Sequence, residues 1–138
     1  MNSTKSFKYL SKTLIVVVAV FFMASTTQEI IWLDENLKET SQAKAKYYKV
    51  GAKLEGDITY YYKNRNVFRK LKFEKGKPVG NFYEYYDTGE LREFGQFVNG
   101  LREGNWKVFY KTGKIKQKGK YSKGEKVGIW KTYYKNDN

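Results

Sequence analysis

Residues 104–128, GNWKVFYKTGKIKQKGKYSKGEKVG, decide the fold. The run is crowded with lysine, has Glu125 as its only acid and holds no recognisable catalytic group, yet its glycines and aromatics recur when the chain is slid against itself. Gly56, Gly80, Gly104 and Gly128 stand at one fixed interval, and Gly76, Gly100 and Gly124 keep the same interval. Two residues after each leading glycine come Ile58, Phe82, Trp106 and Trp130; five after it come Tyr61, Tyr85, Phe109 and Tyr133; six after it come Tyr62, Tyr86, Tyr110 and Tyr134. Val67, Leu91 and Ile115 keep the same register, as do Phe73, Phe97 and Tyr121. Agreement across units 56–79, 80–103 and 104–127 and a truncated unit 128–138 marks an internal repeat. A period of roughly 20 to 50 residues is the signature of a solenoid or array.

Each unit reads as one β-hairpin. In the third, NWKVFY is followed by the turn KTGK and then by IKQKGKY, after which SKGEKVG leads into the next IWKTYY. Gly89 and Gly113 supply the positive φ that a tight turn demands, and in the first unit, where KNRN replaces them, Asn64 or Asn66 is expected to take that conformation. Gly95 and Gly119 fall inside the second strand, where a missing side chain admits a neighbouring aromatic; Leu71 stands there in the first unit, so its packing should differ. A lone hairpin cannot bury its apolar face, so the units must stack in series. Trp106 and Trp130 are expected in equivalent, largely buried settings. Abundant aromatics (13 Tyr, 9 Phe, 3 Trp) agree with an all-β class. Upstream, residues 29–55 read as a degenerate opening hairpin whose spacing slips by about one residue, as terminal units of solenoids do.

The N-terminus reads as an address. Lys5, Lys8 and Lys12 precede an apolar run at residues 14–24 (LIVVVAVFFMA), followed by the polar STTQE, which is the order of a secretory signal. The run is shorter than the ~20 residues a spanning helix needs. Residues 1–28 are therefore expected to be a signal peptide or signal-anchor outside the fold, and the chain to be exported: periplasmic, secreted or anchored through residues 14–24. With the three lysines of that segment removed, the net charge falls from +13 to +10.

The repeated pattern Gly-x-aromatic-x-x-aromatic-Tyr-x-x-Gly-x-aliphatic, then a second-strand glycine and aromatic, then Lys/Asn-Gly and a return to Gly, resembles the variant MORN repeat of bacterial proteins over residues 56–138, and more loosely from 30. The resemblance implies an elongated single-layer β-hairpin solenoid used as an interaction platform. It brings no catalytic motif, and Trp106, Tyr110, Gly113, Gly119 and Gly124 carry over as structural positions only. Some bacterial proteins with this repeat bear an antitoxin label, which the resemblance extends to this chain as an alternative role.

The absence of cysteine and histidine removes disulfides, thiolate nucleophiles, the commonest zinc ligands and the usual proton carrier near neutral pH, so an enzyme is not expected, nor a cofactor. Glu84, Asp87, Glu90 and Glu93 crowd one turn, as paired carboxylates of a hydrolase or calcium site would. The next unit has Val108, Lys111, Lys114 and Gln117 there, so the cluster reads as a solvated acidic turn. GKYSKGEKVG lacks phosphate-loop spacing, and Ser122 has no histidine to activate it.

Charge is what the scaffold leaves over. Residues 80–103 carry −3 and residues 105–136 carry +9. Lys114, Lys116, Lys118 and Lys120 alternate along one strand and are expected on one face, either guarding an exposed edge or meeting an anionic surface. The function expected is a non-catalytic exported scaffold that binds a protein partner in the envelope or an anionic lipid or polymer surface; an antitoxin or immunity-type protein neutralising a cognate toxin is the alternative. Nucleic acid is not expected as a partner, since an exported chain rarely meets it.

Overall fold

The computed structural model describes residues 28–135. The apolar run at residues 14–24 lies outside the described residues. Nine strands form one antiparallel sheet: β1 (Ile30–Leu33), β2 (Tyr47–Val50), β3 (Gly56–Tyr62), β4 (Val67–Glu74), β5 (Lys77–Tyr85), β6 (Leu91–Val98), β7 (Leu101–Phe109), β8 (Ile115–Ser122) and β9 (Glu125–Thr132). Their order in space is their order in sequence, and the sheet does not close on itself. The outer edge of β1 is blunted by its own loop, through the bridge between Leu33 and Glu39 and the Thr40 N–H donating to the Trp32 carbonyl at 2.9 Å.

Two kinds of turn alternate. Lys75-Gly76, Asn99-Gly100 and Lys123-Gly124 have positive φ at both residues, the two-residue type I′ turn that suits strand twist. At the other end, the N–H groups of Arg65, Gly89 and Gly113 donate to the carbonyls of Tyr62, Tyr86 and Tyr110 at 2.9 Å. In the first unit it is Arg65 that takes positive φ (73°), not Asn64 or Asn66. Turn geometry assigns the left-handed position to the fourth residue whatever its type. The asparagines serve otherwise: Asn64 and Asn66 amides both donate to the Asp87 carbonyl, at 3.0 and 2.7 Å, tying this turn to the next.

The leading glycines make bulges. Between the pairs Lys70↔Tyr83 and Lys72↔Val79, Leu71 alone opposes residues 80–82; Gly95 opposes 104–106 and Gly119 opposes 128–130 in the same way. Gly80, Gly104 and Gly128 take φ of 71°, 69° and 63° there. A bulge bends its strand and raises twist. That is how a single sheet comes to bury Trp106 (1 % exposed) and Phe82 (2 %) on one face without a second layer.

On that face a herringbone of rings runs along the array, Phe82–Phe97–Trp106–Tyr121–Trp130, with successive centroids 5.0–5.6 Å apart and successive planes inclined by 73–88°, while Phe82 also meets Trp106 at 5.3 Å and 33°. Its fit to the backbone depends on residue size. A Cβ on Gly95 would lie 2.2 Å from the Trp106 ring, and one on Gly119 2.3 Å from Trp130. Where Leu71 stands at this position, the residue eleven places on is Phe82 instead of Trp. Trp130 is only half-buried, unlike Trp106, because β9 has no further strand beside it among the described residues. Lys126 covers its ring instead, at 4.2 Å. Along the turn side, the hydroxyls of Tyr62, Tyr86 and Tyr110 donate to the carbonyls of Tyr85, Phe109 and Tyr133 at 2.7–2.8 Å, each locking one hairpin to the next.

Trp106→Ala should cost about 3–5 kcal/mol of stability. Gly95→Leu alone should cost about 1–3 kcal/mol through overpacking, and adding Trp106→Phe, which reproduces the Leu71 and Phe82 combination, should recover most of that loss. Denaturant titration of the single and double variants checks this; strictly additive losses would mean that the two positions do not touch.

Candidate anion-binding face

The four lysines of the alternating pattern do not form one row. Lys114 precedes β8, which starts at Ile115. The pairs Val108↔Gln117 and Phe109↔Ile115 leave Lys116 unpaired in a bulge, so strict alternation is broken there. Lys116 and Lys118 rest their ammonium groups 5.7 and 5.4 Å from the Tyr110 and Tyr133 rings. β8 pairs with β7 on one side and β9 on the other, so these lysines do not guard an edge.

Sheet register assembles a different row. Lys118 lies directly opposite Lys107 on β7 and Lys131 on β9. Continued the other way, Lys107 faces Phe94, Phe94 faces Tyr83, and Tyr83 faces Lys70. Because successive strand residues point to opposite faces, this row lies on the face away from Trp106 and Gly119. A groove of about 360 Å³ opens among Asn105, Lys107, Lys118, Lys120, Ile129 and Lys131. Its counterpart two repeats earlier, about 380 Å³, is lined by Asp57, Thr59, Lys70, Lys72, Asn81 and Tyr83. The two grooves share a backbone and differ in charge. Pattern reading missed Lys107 and Lys131 because only pairing across strands brings them beside Lys118.

The acidic unit is not an acidic surface. Glu84 is 4 % exposed, contrary to the solvated turn expected of it. Arg69 donates to its Oε2 at 2.6 and 3.0 Å, and Arg92 reaches Oε1 at 3.2 Å. Glu93 lies opposite Glu84 in the sheet and pairs with Arg102 at 2.9 Å; the Arg102 guanidinium in turn lies 4.2 Å over the Trp106 ring. Glu84 and Glu93 alternate onto the core face, where arginines compensate them. Asp87 stays at the turn and pairs with Lys111 at 3.1 Å, and Glu90 is exposed there. The arginines and acids in these contacts are spent internally, and Lys107, Lys118, Lys120 and Lys131 on the last three strands make no ion pair among the described residues.

Glu84→Ala should cost about 2–3 kcal/mol, less than the ~3–5 of a fully buried pair because Arg69 and Arg92 keep contact with water. Burial pushes the Glu93 carboxyl above its ordinary value of 4.5, with Arg102 opposing the shift. The folded state therefore holds that proton more tightly than the unfolded state. Stability contributed by Glu93 rises as pH falls from the folded pKa towards 4.5 and is lost as pH rises through that window. Glu93→Gln should remove this slope, as followed by denaturation midpoints at stepped pH; an unchanged slope would place the titration elsewhere.

Residues 102–123 match a family model described as MORN repeat variant. No curated protein matches the chain. The matched segment covers nearly all of the β7–β8 hairpin, with its bulge glycine Gly104, its turn glycine Gly113 and its small residue Gly119. The same positions recur one repeat earlier at Gly80, Gly89 and Gly95, in a hairpin of the same register. Residues 102–123 are thus similar to the MORN repeat variant and sit in an array of hairpins that share their register.

Proposed function

We propose that this protein is a non-catalytic repeat scaffold, exported through its basic and apolar N-terminal segment, that binds an anionic partner in the cell envelope through the basic face of β7, β8 and β9. One observation carries the reading: Lys107, Lys118 and Lys131 stand directly opposite one another on three successive strands. Like charges so placed destabilise a sheet by about 0.2–1 kcal/mol per pair. Among the described residues the ion pairs that lysines make are Lys72–Glu74 and Lys111–Asp87, neither of which touches this row. A costly arrangement that no carboxylate offsets among the described residues fits a surface completed by an anion from outside. The repeat supplies the rigid backbone, and the hairpins contribute side chains at fixed intervals.

Binding to anionic vesicles or polymers should weaken steeply as salt rises, because exposed charges are screened over ~8–10 Å at ordinary ionic strength. Lys118→Glu with Lys131→Glu should abolish it while the fold persists; binding equal to that of the parent would remove the reading. Residues 1–35 fused to a reporter active only outside the cytoplasm should give activity, and a silent reporter would place the chain among cytoplasmic partners instead.

A further inference from the structure

Resting on the anionic-partner reading, we propose that the ligand is a linear acidic polysaccharide lying across β5 to β9, its sugar rings on Tyr83 and Phe94 and its carboxylates on Lys107, Lys118 and Lys131. These five residues are consecutive rungs of one cross-strand row. Its composition changes along its length, from two aromatics to three lysines. A compact anion would use the lysines and leave the aromatics idle; a ligand that uses both must be extended and must present apolar faces and charges along one line.

The geometry narrows this further. Tyr83 and Phe94 lie 5.2 Å apart with rings inclined by 44°, a ridged pair, and both residues are half-buried on the face away from the core. Pyranose rings offer flat C–H faces to such a surface. Adjacent strands place successive rungs about 4.7–4.9 Å apart, so a chain running across the strands meets a lysine at intervals of about 5 Å, or about 10 Å if every second charge points inward. The basic end is built only from lysine; no arginine fork stands in the row to grip a phosphate bidentately. Ile129, 82 % exposed, and Val127, 40 % exposed, flank the lysines and extend the apolar surface into the groove. The groove two repeats earlier, with Asp57, Thr59, Lys70, Lys72, Asn81 and Tyr83, has the same backbone but an acid and fewer lysines, so the lysine-dense end of the track is the one on β7 to β9.

The test is titration of polygalacturonate into the full chain, with poly(dT) and anionic phospholipid vesicles as parallel probes, circular dichroism reporting the fold. Polygalacturonate should bind saturably and more tightly per charge than either other probe. Lys107→Gln, Lys118→Gln and Lys131→Gln together should weaken it about tenfold or more, whereas Lys44→Gln, Lys53→Gln and Lys63→Gln, of equal net charge, should change it less than about threefold. The aromatic arm is separate: Tyr83→Thr with Phe94→Thr, which keeps β propensity and net charge, should weaken polygalacturonate about fivefold or more. Equal binding by that variant, with the fold intact, overturns the sugar-stacking track, as does tighter binding of poly(dT) or of vesicles; in either case the anionic-partner reading stands. Failure of all three probes overturns both.

Discussion

The contact between a strand position with no side chain and an indole ring governs this fold. Trp106 lies where a Cβ on Gly95 would be, and Trp130 does the same over Gly119. So close an approach needs the later strand to turn its ring down onto the earlier one, which the three-residue bulge opened by Gly104 and Gly128 permits. The bulge bends the sheet, the bend shelters the rings, and the sheltered rings join Leu33, Tyr60, Phe68 and Leu71 in one core on a single face. With a larger residue in the strand the indole would have to stand off, and where Leu71 takes that position a smaller ring, Phe82, packs instead.

The two faces that result divide the charges. Glu84 and Glu93 of the second unit fall on the core face, and arginines from neighbouring hairpins reach them: Arg69 from the preceding hairpin to Glu84, Arg102 from the following one to Glu93. The hydrocarbon and guanidinium of Arg102 also cover Trp106, so this pairing is part of the packing. Lys107 and Lys118 of the third unit fall on the opposite face, where no acid pairs with them among the described residues. A surface charge far from that of an average repeat arises without any change of backbone.

Period and hairpin were legible in the sequence because they rest on glycines and rings whose roles are backbone-level and repeat unchanged. What could not be read depends on pairing between strands. Glu84 looks like part of an exposed cluster until Arg69, fifteen residues upstream, is set beside it by sheet register. Lys114, Lys116, Lys118 and Lys120 look like one row until the bulge at Lys116 breaks the alternation and the strand start excludes Lys114. Arg65 shows the reverse limit: the turn imposes its φ on a residue that propensity would not choose.

The lysine row occupies the last three strands, and β9 has a neighbour on one side only among the described residues. In a stack where each hairpin is held by its neighbours alone, unfolding starts at the ends, and local opening there costs far less than global unfolding. Mutual repulsion of Lys107, Lys118 and Lys131 lowers that local cost further. A polyanion laid across them reverses the repulsion and staples β9 to β7 and β8. Occupancy of the row and protection of β9 amides from hydrogen exchange are then one equilibrium seen from two sides.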